Sequence, residues 1–443
     1  MKKNEIYDIL IDGMTSEGFG VGRQNGMAVF VPYAIPGEMV KVRIVKVNKS
    51  FAYGKAEEIL TSSSSRKEPE CPVFYRCGGC SLQHMSYERE LEFKTDKVTQ
   101  LIRRTAGLDA PVEHCVGSPE ITAYRNKAQY PVGVVDGKLT AGFYAKRSHN
   151  IIPCSDCLIQ SDVSRRCTDA VIEYMKNEGV MPYDEESGKG KIRHIYVRSG
   201  KSGALLTLVI NGNKLPSKDS LIEIVRENCP EVSGIVLNIN SKKTNVVLGE
   251  ECVTIWGKGS LSDTLCGLEF DISPKSFYQV NHAQTEALYK KARELANLSG
   301  NETVLDLYCG IGTISLFMAD KAKWVYGVEI VPEAIENAKE NAKRNGIENV
   351  EFLVGDAKYA AANIKNADVV ITDPPRAGCD REVIDHIVRI SPKRIVYISC
   401  NPATLARDLK VFDEMGYKTE IVYPFDLFPR TEHVECCALL CRT

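Results

Sequence analysis

Apolar and polar positions alternate through residues 1–60. The runs YDILIDGM, MAVFVPYA, EMVKVRIVKVN and YGKAEEIL read as strands, and GFGVGRQNG, PGE and NKSFA separate them. Four or five short strands broken by Gly, Pro and Asn predict a small OB-like β-barrel. Such barrels commonly bind oligonucleotides, although a barrel with a purely structural role has the same pattern. TSSSSRKEPE (61–70) is polar and aperiodic, so it marks a boundary. The rest of 61–100 holds the run CPVFYRCGGC and then SYERELEFKTDKVTQLIRRTAG, which continues a few residues past 100. Apolar positions recur there at helical spacing, with Ser86 placed as the N-cap.

Residues 101–265 alternate strand-like runs (KAQYPVGVVDG, LTAGFYAK, IRHIYVRSG, ALLTLVING, VSGIVLNIN, TNVVLGEE) with a few helical ones. This predicts an α+β domain built on an antiparallel sheet. Within it, Arg125, Lys127, Lys138, Lys146 and Arg147 interleave with Tyr124, Tyr130, Phe143 and Tyr144, with Asp136 as the acid among them. Basic and aromatic residues alternating on strands fit an RNA surface, and equally a solvated face. Residues 266–443 change character, because strand and helix now alternate. That predicts an α/β doubly wound sheet, with a terminal hairpin adding an antiparallel edge strand.

A length of 443 residues suits about three domains at roughly 150 residues each. The 44% hydrophobic and 26% charged composition excludes a disordered chain, a collagen and a coiled-coil rod. A net charge of -2 excludes nucleic-acid binding through bulk positive charge, so any such site is a local patch. No apolar run approaches the roughly 18 residues of a membrane span. The start, MKKNEIYDILIDGMTSEG, has no apolar stretch of the export type, so a cytoplasmic location is expected. Nothing in the composition demands more than a monomer. Sixteen cysteines without an export signal argue against a disulfide framework. Most, such as Cys229, Cys252 and Cys266, are expected to be small buried hydrophobes. Cys71 to Cys80 and Cys400 stand apart.

TVLDLYCGIGTISL ends a strand, turns on Gly310 and Gly312 and opens a helix. Such a turn lets a ligand approach the backbone. Ser315 stands where a dinucleotide fingerprint needs a third Gly or Ala, which disfavours NAD, and there is no phosphate-binding P-loop. Glu329 ends the next strand, where a carboxylate can accept hydrogen bonds from ribose hydroxyls. Asp356 follows the strand after that, within reach of an adenine amino group. Asp306, Gly310, Gly312, Glu329 and Asp356 in register on successive strands resemble the S-adenosylmethionine (SAM) site of class I methyltransferases.

ITDPPRAG and YISCNPATLARDL end the fourth and fifth strands, with Cys400 at a strand–helix junction. A helix N-terminus lowers a thiol pKa, so Cys400 is expected to be a reactive nucleophile. A thiolate beside a methyl donor points to pyrimidine C5 chemistry. Addition at C6 makes C5 nucleophilic, and a base must then remove the C5 proton. Glu435, in PRTEHVECCALL, is the candidate base, with His433 as the alternative. Asp373 or Gln279 (in KSFYQVN) is placed to hold the ring edge or the cofactor. The target base must be flipped out or already unstacked.

SFYQVN, DLYCGIGTISL, TDPPRAG, YISCNPATLARDL and HVEC, in this order, resemble the RNA uracil-C5 methyltransferase family, and most closely the RumA-type 23S rRNA (uracil-5-)-methyltransferases. The resemblance covers essentially the whole chain. It implies an N-terminal TRAM barrel, an iron–sulfur cysteine segment, a central domain and a SAM-dependent fold. It implies Cys400 as nucleophile, Glu435 as general base, and SAM contacts from Gln279, Tyr308, Glu329 and Asp373. The partner implied is RNA, 23S rRNA or an assembling large ribosomal subunit. DPPR replaces the DPAR of some relatives, a small departure. A tRNA uracil-C5 methyltransferase is the second reading. Its members are expected to lack the barrel and the cysteine segment. A non-catalytic rRNA-binding assembly factor is the third.

Cys71, Cys77 and Cys80 form C-x5-C-x2-C, and Gly78 and Gly79 let the chain turn tightly with N–H groups aimed at sulfur. Cys154 and Cys157 offer a fourth ligand. The family resemblance implies a [4Fe-4S] cluster on the trio plus Cys157. Two C-x2-C pairs are also a zinc ligand set, although 73 intervening residues far exceed the usual spacing.

Overall fold

In the computed structural model, which describes residues 1–154, 156–358, 364 and 366–443, alternate positions of five strands turn inward and close a barrel. These are Ile6–Met14 (β1), Gly20–Gln24 (β2), Met27–Val31 (β3), Met39–Val47 (β4) and Phe51–Thr61 (β5). Ile9, Ile11, Val29, Val31, Val40, Val42, Ile44 and Ala52 fill the interior. A parallel pairing of β3 with β5 closes the ring. Strand β2 lies inside the stretch GFGVGRQNG that separates two predicted strands. Its glycines answer a packing demand: a Cβ on Gly22 would stand 2.4 Å from the Leu10 carbonyl oxygen and 2.4 Å from the Ile9 Cγ2.

Helix Tyr87–Leu101 (α1) starts at Ser86, whose hydroxyl accepts the Arg89 N–H at 3.3 Å. Its apolar stripe, with Val98 and then Ile102 and Ala106, joins the core of the C-terminal sheet.

The central domain is a seven-stranded sheet of Lys127–Val135 (β6), Lys138–Tyr144 (β7), Ile151–Pro153 (β8), Ile192–Gly200 (β9), Gly203–Ile210 (β10), Val232–Ile239 (β11) and Glu251–Gly257 (β12). The order is β12-β11-β10-β9-β6-β7-β8. It is antiparallel apart from the β10–β11 pair, which is parallel. Helices Asp162–Asn177 (α2) and Lys218–Asn228 (α3) cover it, with Cys167, Val171, Tyr174, Leu221 and Val225 packed against Tyr130, Ile195 and Leu206. Tyr124 and Tyr130 are therefore interior residues and are unavailable to stack on RNA. Cys252 lies on the edge strand and is exposed, unlike the buried Cys229. A hairpin of Leu261–Leu265 (β13) and Leu268–Ile272 (β14) follows.

The C-terminal sheet takes Thr303–Leu307 (β15), Trp324–Glu329 (β16), Val350–Val354 (β17), Val369–Thr372 (β18), Arg394–Ser399 (β19), Tyr417–Phe425 (β20) and Glu435–Arg442 (β21) in the order β17-β16-β15-β18-β19-β21-β20. Helices His282–Ala296 (α4), Thr313–Ala319 (α5), Pro332–Arg344 (α6), Arg381–Ile390 (α7) and Pro402–Glu414 (α8) flank it. The order reverses between β15 and β18, which opens a crevice at their carboxyl ends. The last strand is antiparallel as expected, but the edge position goes to β20. β21 inserts between β19 and β20 and pairs antiparallel with both. Burial on both faces explains this, since Cys436, Cys437 and Ala438 are buried at consecutive and not alternate positions.

Because a backbone carbonyl cannot yield as a side chain can, Gly22→Ala is expected to cost about 1–3 kcal/mol, read as a lower midpoint in denaturant unfolding. A midpoint equal to wild type would show that the barrel is looser than this close approach implies.

Candidate active site

The turn after β15 is tightly constrained. Tyr308 takes a left-handed φ of +66°, which a side chain rarely adopts, between β15 and Gly310. Gly312 is required, because a Cβ there would stand 2.7 Å from Phe352. Asp306 is buried within β15. One of its carboxylate oxygens accepts the Ser315 hydroxyl at 2.5 Å, and the other has no partner among the described residues. Ser315 thus takes its position in the motif as the partner of Asp306. Burial pushes Asp306 up to about 7, and the charges of Asp373 and Glu329 add to this. Glu329 accepts the Gly310 N–H at 3.2 Å and the Val331 N–H at 3.0 Å, stitching the turn to the end of β16. Asp356 accepts the Lys358 N–H at 3.1 Å. Burial raises the Tyr308 hydroxyl, which also faces Asp356 and Asp380. The strand ends therefore bring Glu329, Asp356 and Asp373 together with Tyr308 as an acidic rim, with Asp306 buried beneath it. Such a rim suits a ligand rich in hydroxyl and amino groups that carries net positive charge. Gln279 is buried in the segment between β14 and α4, where its backbone carbonyl accepts Asn126 Nδ2 at 2.9 Å.

Two loops form the reacting end as one unit. Asn401 caps α8 through the Ala403 N–H at 3.1 Å and donates Nδ2 to the Arg376 carbonyl at 3.1 Å. Thr404 Oγ1 donates to the same carbonyl at 3.3 Å. Asp408, buried in α8, accepts Tyr397 Oη at 2.6 Å, the Cys379 N–H at 2.8 Å and Arg407 Nε at 2.7 Å. Residues 373–380 are thereby fastened to the turn that carries Cys400.

The charges of Asp373 and Arg376 act on both Cys400 and Glu435 across this unit. The Cys400 thiol is not lowered as its helix position predicts. Burial, then the charges of Glu435 and Asp373, push it up to about 11 against the opposing Arg376. Desolvation and two carboxylates outweigh the helix terminus. Glu435 opens β21, is 1% exposed, and has one carboxylate oxygen with no partner among the described residues. Burial and Asp373 raise it well above the carboxylate range. Burial alone lifts Asp373 to about 7. His433 is held below its usual value by burial, which favours the neutral ring. Arg376 was not singled out from the sequence, and the only signal for it was the DPPR motif itself.

Arg376 and His433 also line a second cavity of about 300 Å³, together with Cys71, Cys77, Cys80, Cys154 and Cys157. All five cysteines are free thiols. The Gly79 N–H points to Cys77 Sγ at 3.4 Å. A hydrogen bond from Cys154 holds Cys157 down to about 7. Among the described residues no three His, Cys, Asp or Glu side chains converge closely enough to hold a single metal ion. Arg125 and Lys127 form another part of the wall, and burial, then the charges of Arg198 and Arg125, lowers Lys127 to about 8.

Peptide-resolved alkylation of the free protein is expected to find Cys400 slow at neutral pH, its rate climbing towards a midpoint near 11. Glu435→Gln removes a charge that opposes the thiolate and lowers that midpoint, whereas Arg376→Ala raises it. A wild-type midpoint below 8 would mean that the helix terminus dominates after all.

The TRAM domain model matches residues 2–56, and a methyltransferase domain model matches residues 298–417. An uncharacterized RNA methyltransferase of Halalkalibacterium halodurans is 46% identical over 99% of this chain and 98% of its own length. One from Clostridium tetani is 47% identical over 99% of this chain and 97% of its own. Among solved structures, the Pyrococcus abyssi tRNA (uracil-54, C5)-methyltransferase in complex with S-adenosyl-L-homocysteine superimposes with a TM-score of 0.79 at 29% identity. That match covers 97% of this chain and 98% of the other. With relatives this similar along nearly its full length and an acidic crevice at the switch point, the chain belongs to the RNA uracil-C5 methyltransferase family and is a SAM-dependent RNA methyltransferase.

Proposed function

We propose that the protein methylates C5 of a uridine in RNA through a covalent bond between Cys400 and C6, with Glu435 as the base. The observation that carries this reading is the pairing of a thiol with a buried, partly unpartnered carboxyl group at the ends of β19 and β21. SAM supplies the methyl group when bound. Asp306, Tyr308, Gly310, Glu329, Asp356, Asp373 and Gln279 are the residues proposed to hold it. Cys400 adds to C6 as its thiolate, which places negative charge on the ring and makes C5 nucleophilic. Arg376, the cation that acts on both Cys400 and Glu435, stabilises that charge. After C5 has taken the methyl group, Glu435 accepts the C5 proton and the sulfur leaves C6, restoring the aromatic ring. The high proton affinity that burial gives Glu435 suits the second step.

The proposed substrate is 23S rRNA, on the order and wording of the motifs. A tRNA is the second reading, and a specific observation favours it. The Pyrococcus abyssi tRNA enzyme aligns over 97% of this chain, so its match extends into the barrel and the cysteine segment. The barrel therefore does not separate rRNA enzymes from tRNA enzymes as expected. We further propose that Cys71, Cys77, Cys80 and Cys157 hold a [4Fe-4S] cluster. The observation behind this is that all four thiols line one cavity. Methyl transfer needs no electron from such a group, so the role we propose for it is structural or RNA-positioning.

Transcripts of 23S rRNA and tRNA carrying tritium at uridine C5 test the reaction. SAM-dependent release of tritium into water is expected from one of them. Cys400→Ala abolishes it, and Glu435→Gln slows it by about 100-fold or more while the covalent complex accumulates. Methyl incorporation without tritium release would place the methyl group on another atom. Neither, on either RNA, would favour the assembly-factor reading. For the cysteines, iron and acid-labile sulfide in equal amounts are expected in protein purified without oxygen. Stoichiometric zinc would overturn the cluster.

A further inference from the structure

Helix α1 carries a lysine where a core residue belongs. Lys94 is fully buried, and its ammonium donates to Asp426 Oδ1 at 2.6 Å, Glu90 Oε1 at 2.8 Å and the Phe428 carbonyl at 3.3 Å. Tyr87 Oη donates to the other Asp426 oxygen at 2.8 Å. Glu90 Oε1 also accepts the Arg430 N–H at 2.7 Å, and Lys97 Nζ donates to the Glu432 carbonyl at 2.8 Å. Every one of these bonds between α1 and the rest of the chain ends in residues 426–432, the loop that joins β20 to β21. Within that loop Arg430 has a left-handed φ of +72°, and its carbonyl accepts the Ser81 and Leu82 N–H groups at 2.9 and 3.0 Å. A strained residue persists only where its surroundings over-determine it.

Packing alone does not call for this network. Apolar side chains of similar volume usually replace a buried ion set without loss of stability. What charged groups add is one geometry in place of several. Glu435 needs one, because one of its carboxylate oxygens has no bonding partner among the described residues to orient it. The path of the backbone into β21 fixes its position, and loop 426–434 fixes that path.

We propose that Lys94 is a positioning residue for Glu435, acting through Asp426, Glu90 and the loop between β20 and β21. This rests on the reading of Glu435 as the base. The test uses Lys94→Met in the full-length protein with three readouts. These are SAM affinity by calorimetry, formation of the covalent complex with transcript made from 5-fluorouridine, and tritium release from 5-tritiated transcript. Fluorine at C5 cannot leave as a proton, so the complex reports Cys400 and methyl transfer without the base. SAM affinity, complex formation and KM are expected to stay within about threefold of wild type, while kcat for tritium release falls by about tenfold or more. Lys94→Arg, which keeps the charge, is expected to recover part of that loss. An unchanged kcat, or an equal loss in all three readouts with a lower unfolding midpoint, overturns the proposal. If Lys94→Met does not fold, Glu90→Gln leaves Lys94 paired with Asp426, and the same split is expected at smaller size. Its absence overturns the proposal. Glu435→Gln is run alongside: wild-type tritium release from it removes the base itself, a failure distinct from that of Lys94 alone.

Discussion

Glu435 stands at the first position of a strand covered on both faces, and its carboxyl group is buried beside a second acid. Leaving one oxygen of such a group unpaired costs about 1–3 kcal/mol. The cost is tolerated because the neighbours that could relieve it are held elsewhere. Asp373 adds charge of the same sign, and Arg376 opposes it only in part. The result is a carboxyl group with raised proton affinity beside a thiol whose proton burial also makes harder to remove. Burial and the nearby acids thus work against ionisation of either group in the free protein. A thiolate generated only on the substrate is also less open to stray alkylation or oxidation than a permanently ionised one.

The sheet creates this arrangement by its order. β15 and β18 lie side by side while the chain leaves them in opposite directions, so their carboxyl ends border one crevice. The acids of the β15, β16 and β17 ends fall on one side of it, and the residues after β18 and β19 on the other. The insertion of β21 between β19 and β20 then brings Glu435 up next to the turn that carries Cys400. An edge position for β21 would have left the carboxyl group in water, where its proton affinity would be ordinary.

Much of this was legible in the sequence. The barrel, the α1 cap at Ser86, the doubly wound C-terminal sheet and the acids at its strand ends all follow from periodicity and from residue type at strand ends. What was missed shares one physical cause: the deciding partner is remote in sequence. Gly20 and Gly22 read as loop residues because the atoms that forbid a side chain there belong to other segments, β1 among them. Tyr124 and Tyr130 read as available aromatics because the groups that bury them come from elsewhere, including the Pro429 carbonyl that accepts Tyr124 Oη at 3.0 Å. The thiol of Cys400 read as acidic because the helix is local, whereas Asp373 and Glu435 are 27 and 35 residues away. Lys94 was not singled out at all, because its acid Asp426 is 332 residues on.

These long-range partners also explain why so much chain surrounds a small reaction centre. The segment after the barrel supplies Cys71 to Cys80, then Ser81 and Leu82, then α1, and each of these reaches the walls around the loop ahead of Glu435. Ser81 Oγ bonds Glu432 Oε2 at 2.5 Å, directly after the last cysteine of the run. Arg376 and His433 line the cysteine cavity, and Arg376 also faces Cys400. The cysteine segment therefore shares a wall with the candidate site through Arg376 and His433. The barrel gains a mechanical consequence from the same contacts. Glu38 in the barrel pairs with Arg66 through Nε at 2.5 Å and Nη2 at 2.7 Å, and Arg66 lies in the segment that leads to the cysteines. That bidentate ion pair fastens the barrel to the segment that carries the cysteines and α1.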